Sequence, residues 1–400
     1  MAVIYMFVIT LYSAITDKNY FVLDKIGIRV LWLSVFLLAT CLFSIVYYGV
    51  PVGKVMIVAR TQFYALSWFF LRKLNYKQLF LVLQLLGLVT LISSFLYLFE
   101  PIIGQPLLFT NTEEGSSQIE YNGGLVRFAN IPPLRTDFFL LTLFTPYLWA
   151  YRLKLSRIAH IIVYTVSVIL SFGRTMIITT FSMLICGALM QKQNKRVRKQ
   201  IIVIGIVLLP IASIFLTSMS ERNTLGDLEE ILAGDFRSYT TGYTYGKEET
   251  TMLFRFAWVY ERAEYLSHRP LIESIMGLAY ISDQDPMVWD YYHFDVNDYG
   301  NKNMSQIIYS YDISWGNFIT RFGILGTVLM LSLWLFLLRF FWKTRNNPFG
   351  LVGFLMLICV IITSFAGINL SSPGSFIKFF IIYLLIQKQK DSQLNLLMFK

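Results

Sequence analysis

Apolar runs of spanning length recur along the chain, separated by short polar connections. They fall at about 1–16, 28–48, 51–71, 78–99, 136–151, 156–172, 174–191, 200–219, 317–338, 348–368 and 371–387. In lipid every backbone polar group must be satisfied within its own segment, so runs of this length predict helices. The expected fold is all-α: a polytopic membrane helix bundle of about 11 spans, within a range of roughly 10–12. The first run has no basic region before it and no small-residue cleavage site after it. It reads as a short first span, with its true start upstream or its helix partly peripheral, rather than as a signal peptide.

Lysine and arginine set the orientation. One set of connections carries Lys18, Lys25 and Arg29; Arg72, Lys73 and Lys77; Arg152, Lys154 and Arg157. The set continues with Lys192, Lys195, Arg196, Arg198 and Lys199; Arg339, Lys343 and Arg345; and Lys388, Lys390 and Lys400. These twenty of the 34 basic residues fall on alternate connections, which makes that side cytoplasmic. The net charge of +10 is therefore mainly a topology signal, and nucleic acid is not an expected partner. Charged residues are 14% of the chain against about a quarter in soluble domains, which excludes a large soluble core. The other side carries a small loop at about 100–135 and a large one at 220–316. The organisation is 1–219, N-terminal transmembrane helices; 220–316, a large extracytoplasmic loop containing short helices; and 317–400, C-terminal transmembrane helices and a cytoplasmic tail. Cys41, Cys186 and Cys359 lie inside apolar runs and read as packing residues. No P-loop, dinucleotide fingerprint, HExxH, GxSxG or CxxC pair is present, so no metal and no cofactor is expected.

Fourteen basic residues remain outside the cytoplasmic set, and ten are arginine: Arg60, Arg127, Arg135, Arg174, Arg222, Arg237, Arg255, Arg262, Arg269 and Arg321. Orientation needs only positive charge and does not explain a preference for arginine. A planar guanidinium binds phosphate or carboxylate through two parallel hydrogen bonds. A phosphorylated or acidic ligand on the outer face accounts for the bias; chance is the competing explanation.

Several positions are costly. Arg60 interrupts the run at 51–71, where it either serves function or a buried ion pair, or snorkels from a tilted span. Arg174 lies in a four-residue turn between two spans, facing the bundle or the interface. Arg255 and Arg262 share the margin of an apolar helical stripe formed by Met252, Phe256, Val259, Ala263 and Leu266. There they are either solvated or line a cleft. His268 at the end of that helix is a structural residue or a base. The dense tyrosines and tryptophans of the large loop suit sugar stacking and an interfacial belt alike. Asp283-Gln-Asp285 matches a metal-binding DxD, but it faces the side where nucleotide-sugars are not expected.

Four stretches, in order, resemble the bacterial O-antigen polymerase and O-antigen ligase superfamily, membrane glycosyltransferases of GT-C type. They are Gly123-Gly124-Leu125-Val126-Arg127 with Pro132 and Pro133; Ser171-Phe172-Gly173-Arg174; Arg255 to Trp258 followed by His268-Arg269-Pro270-Leu271 and Gly277; and Asp312 to Trp315 leading through Gly323 and Gly326. The ligases often have His followed by Asn where this chain has Asp312, which favours a polymerase. The resemblance implies a bacterial cytoplasmic membrane enzyme that is metal-independent and inverts at the sugar. Its implied donor is an undecaprenyl-diphosphate-linked oligosaccharide, with membrane lipid around it and a chain-length regulator as a further partner. On that basis Arg174 and Arg255 are first choices for the diphosphate, then Arg127, Arg262 and Arg60. Asp312 is the first choice for the base that takes the acceptor proton, with His268 second. A ligase differs in its acceptor. A lipid-linked oligosaccharide flippase or transporter is the alternative outside enzymes, although flippases usually have short outer loops.

Overall fold

A computed structural model describes residues 23–103, 119–122, 125–128, 134–149, 157–170, 174–190, 251–282, 313–365 and 372–389, with single positions between them. These residues are helical apart from one short antiparallel pair. In order, the elements are α1 Lys25–Val46, α2 Val52–Ala59, a 3-10 turn Gln62–Leu66, α3 Ser67–Leu71 and α4 Tyr76–Ile103. The strands β1 Ile119–Asn122 and β2 Leu125–Phe128 follow, then α5 Arg135–Phe144, a 3-10 turn Pro146–Leu148, α6 Arg157–Leu170 and α7 Arg174–Met190. Next come α8 Thr251–Ser267, α9 Leu271–Met276, α10 Ser314–Lys343, α11 Pro348–Thr363 and α12 Pro373–Gln389.

Three helices are long and apolar enough to cross a membrane: Lys25–Val46, Tyr76–Glu100 and Ser314–Lys343. Their exposed faces are apolar too. On α1, Ile28, Trp32, Val35, Leu38, Leu42 and Val46 form a continuous outward stripe at helical spacing, a surface that water would not tolerate at this extent. The polar residues on its other face are satisfied within the helix: Ser34, Thr40 and Ser44 each donate to the carbonyl four residues back. Asp24 starts α1 by accepting from the Gly27 amide at 2.9 Å.

Two expected spans are broken. The run at 51–71 is α2, a 3-10 turn and α3 in succession, because Arg60-Thr61-Gln62 interrupts its apolar face and Arg60 stands exposed at the break. The run at 136–151 stops as a helix at Phe144, since Pro146 has no amide to continue the ladder. Apart from Tyr12 and Val203, the expected spans at 1–16 and 200–219 lie outside the described residues. The strand pair within the small loop was not anticipated. Its register joins Ile119 to Phe128 and Asn122 to Leu125, so residues 123 and 124 alone link the strands. Both are glycine, a composition suited to a two-residue hairpin.

The chain divides into two compact units whose segments alternate along the sequence. The first is Met1–Phe70, Ile214–Leu337 and Val360–Ile377; the second is Leu71–Ser213, Leu338–Cys359 and Lys378–Lys400. In the second unit α4, α5 and α6 pack together through small and aromatic residues. The Tyr164 hydroxyl donates to the Gly87 carbonyl at 2.9 Å, and Gln84 donates to that of Leu148 at 2.7 Å. Lys388 donates to the carbonyls of Arg72, at 2.7 Å, and Leu74, while Asn347 donates to Gln389 at 2.6 Å. Connections that carry the basic residues of one predicted side thus meet.

Candidate functional site

The charged and aromatic groups of interest in the first unit gather around α8, α9 and the start of α10. α8 buries Ala257, Trp258, Arg262 and Leu266. That face is turned by about one residue position from the apolar stripe expected from Met252, Phe256, Val259, Ala263 and Leu266. Trp258 decides the rotation, because its ring packs against Gly316 of α10 where any side chain would collide. Arg262 consequently sits at the centre of the buried face, with 0% exposure. Its guanidinium lies 4.1 Å from the Trp258 ring centroid and 4.0 Å from that of Phe294, and it forms an ion pair with Glu261. Aromatic faces and an adjacent carboxylate are what allow a guanidinium to be enclosed in this way.

α8 ends at Ser267, and Pro270 starts α9. The imidazole Nδ1 of His268 lies 2.9 Å from the Glu264 carbonyl, so the ring caps the helix end and remains exposed. Glu273 on α9 is buried, at 2% exposure, and bridges two groups. It accepts from Arg269 Nε at 2.7 Å and from the Tyr47 hydroxyl at 3.0 Å. Hydrogen bonding to this carboxylate raises the pKa of both Tyr47 and Arg269. Tyr48 donates to the Gly277 carbonyl at 3.4 Å, and Ser44 Oγ accepts from the Tyr280 amide at 2.9 Å. Loop helix α9 and the segment after it are therefore fastened to the C-terminal end of α1.

The same segment is fastened to α10. Gly323 has φ +58, a left-handed value that kinks α10, and Gly277 opposite it has φ +74. A Cβ on Gly277 would lie 2.5 Å from the Gly323 amide nitrogen, and one on Gly323 would lie 2.5 Å from the Ile275 carbonyl oxygen. Only a pair of glycines permits this approach. A straight helix would reserve the carbonyls of Thr320 and Arg321 for residues 324 and 325. Here they accept from the amides of Leu278, at 2.7 Å, and Ala279, at 2.9 Å.

Arg321 stands beside this junction. Its guanidinium is 3.9 Å from the Tyr309 ring centroid and 5.9 Å from that of Tyr280. The Tyr309 hydroxyl donates to the Ala279 carbonyl at 2.8 Å, which fixes the ring. Burial is the largest influence on the phenols of Tyr48, Tyr265, Tyr280 and Tyr292, and it holds all of them above the ordinary tyrosine range.

The candidate residues read from sequence fall as follows. Arg255, Arg262, His268 and Arg60 are described in the first unit; Arg255 and Arg262 share α8, and Arg255 is half-buried. Asp312 lies outside the described residues, as do Asp283 and Asp285. Arg174 opens α7 and Arg127 lies on β2, opposite Glu120, both in the second unit; the side chains of these two arginines lie outside the described residues. Among the described residues no group of three His, Cys, Asp or Glu side chains has a metal-holding arrangement. Glu273 and the stacked position of Arg321 were not singled out from sequence. A carboxylate four residues after Arg269 was the available signal for the first. The second depends on Tyr280 and Tyr309, which are remote in sequence.

The second unit also holds a charge pair in helices read as spans. Lys378 of α12 and Asp137 of α5 are both buried and joined by an ion pair. Compared with models of known protein families and with characterised proteins, the chain matches none.

Proposed function

We propose that this chain polymerises lipid-linked polysaccharide repeat units on the outer face of a bacterial cytoplasmic membrane. Glycan passes from undecaprenyl diphosphate to an acceptor sugar hydroxyl. The observation that carries the reading is the attachment of the loop helices. α8 and α9 bring Arg255, Arg262 and Arg269 to the first unit, and the segment they lead into is tied to the C-terminal end of α1 and the N-terminal part of α10. Lysine and arginine distribution assigns both of those ends to the outer side. On this reading those cations stand near the depth of the lipid headgroups, where the diphosphate of a lipid-linked donor lies.

In the proposed step the acceptor oxygen attacks the anomeric carbon from the face opposite the leaving group. The C–O bond to the diphosphate breaks, configuration inverts, and the acceptor proton passes to a base. Arg255 and Arg174 are each a candidate for stabilising the charge that develops on the departing diphosphate, and Arg127 and Arg60 are the next candidates. Enclosure by Trp258, Phe294 and Glu261 gives Arg262 the task of holding α8 in place. Asp312 is the base, with His268 second; the engagement of His268 Nδ1 leaves Nε2 as its proton-accepting position.

The test is deletion of the protein followed by electrophoresis of lipid-linked and surface glycan. Single repeat units should replace a ladder. Complete ladders retained on the carrier lipid would identify a ligase instead, and repeats that never reach the outer face would identify a flippase. Arg174→Lys should also collapse the ladder, because a lysine cannot make the paired contact; normal ladders would remove Arg174 from the site.

A further inference from the structure

We propose that Arg321 binds an oxyanion, a phosphate or carboxylate group, supplied by the ligand. The argument begins with a difference among the arginines of the first unit. Arg262 is matched by Glu261, and Arg269 by Glu273. Arg321 is half-buried, and among the described residues it has no carboxylate partner and no hydrogen-bond acceptor at its buried Nε. A guanidinium keeps its charge throughout the accessible pH range and carries five donors in one plane. Holding it partly desolvated with its Nε unpaired is unfavourable, and an incoming oxyanion that draws the guanidinium into a hydrogen bond would relieve that cost.

The surroundings prepare the fork. Tyr309 lies against the guanidinium at 3.9 Å, which offsets part of the desolvation. Tyr309 is fixed by the Ala279 carbonyl, and the Ala279 amide is in turn fixed by the carbonyl of Arg321 itself. Ala279 adopts a left-handed φ of +56 to close this ring of contacts. Strain of this kind persists only where neighbouring structure enforces it, and it recurs at ligand sites. The guanidinium is thus preorganised, so little side-chain entropy is lost when a ligand binds.

Phosphate of a carrier diphosphate, phosphate of a phospholipid headgroup and carboxylate of an acidic sugar share the required chemistry. The first of these sources rests on the polymerase reading; oxyanion binding at Arg321 does not.

The experiment uses the full chain in phosphatidylcholine nanodiscs. Its thermal midpoint is followed with farnesyl diphosphate, inorganic pyrophosphate or galacturonate, and again in discs containing phosphatidylglycerol. At least one probe should raise the midpoint saturably in the wild type, and the identity of that probe names the source. Arg321→Lys keeps the charge but loses the fork. It should leave the ligand-free midpoint unchanged and weaken that probe about tenfold. Tyr309→Leu, which removes the stacking surface, should weaken the same probe with Arg321 intact, and it answers the question if the lysine variant does not fold. Equal affinities in wild type and both variants would overturn the proposal, as would a wild type that responds to no probe. Missing glycan ladders with Arg321-dependent binding intact uphold both readings. Normal ladders in the deletion strain would remove the polymerase alone.

Discussion

In the second unit, Lys378 and Asp137 are both buried and face one another; in the first, Arg321 rests half-buried on a tyrosine ring with no carboxylate beside it among the described residues. The two arrangements place charge in poorly hydrated surroundings by different means. An internal ion pair satisfies both partners and fixes how α5 and α12 meet, so its consequence is structural. A guanidinium supported by aromatic faces is held in place while its donors remain available, so its consequence is binding. Arg262 combines the two, with two aromatic rings against it and Glu261 alongside. The presence of a buried cation therefore says little about function until its anion is identified.

The comparison breaks most severely at Asp137. Replacing it by Asn leaves Lys378 buried without its countercharge, which should cost about 3–5 kcal/mol. The yield of folded protein on size exclusion should fall sharply, and Asp137→Leu combined with Lys378→Met should restore it. A single variant that behaves like the wild type would show that the pair is not what secures α5 to α12.

A smaller effect is expected at the glycine junction that supports Arg321. Gly277→Ala places a side chain at a positive φ, worth about 1–2 kcal/mol on backbone conformation alone, and adds a collision with the Gly323 amide. Its melting midpoint should drop, and Gly277→Ala with Gly323→Ala should cost less than the two effects added, since both break one contact. Full additivity would mean that the glycines act independently.

The smallest effect concerns the tyrosines around the first unit's arginines. Burial raises their pKa, so the protonated form is favoured by folding. That contribution is complete below the ordinary tyrosine value of about 10 and is lost as pH rises through the higher folded values. Spectrophotometric titration of the folded protein should show a set of phenols ionising later than free tyrosine, and unfolding should release them to the ordinary value. Simultaneous titration of all tyrosines with free tyrosine would contradict the burial of Tyr280 and Tyr292.

Much of the architecture was legible because lipid imposes simple rules. Length and apolarity mark α1, α4 and α10, and two of the basic connections are joined where Lys388 donates to the carbonyls of Arg72 and Leu74. The breaks were less legible. Arg60 was visible as a costly charge, yet its outcome, a helix interrupted at that residue, depends on competition between snorkelling and local unwinding. The α8 face was misjudged because helical periodicity of apolar residues assigns no special weight to one tryptophan, and that tryptophan fits a glycine on another helix.

Sequence by itself determined that this chain consists largely of apolar helices, where the basic residues cluster between them, and that arginine outnumbers lysine among the basic residues outside those clusters. Those properties follow from each segment's own length and charge. Tertiary structure decided which arginines are occupied. Glu261 and Glu273 are local to their partners, but the Tyr309 and Tyr280 rings around Arg321, and Asp137 against Lys378, come from distant parts of the chain. A side chain's availability to a ligand depends on what surrounds it in space, and folding alone brings those neighbours together.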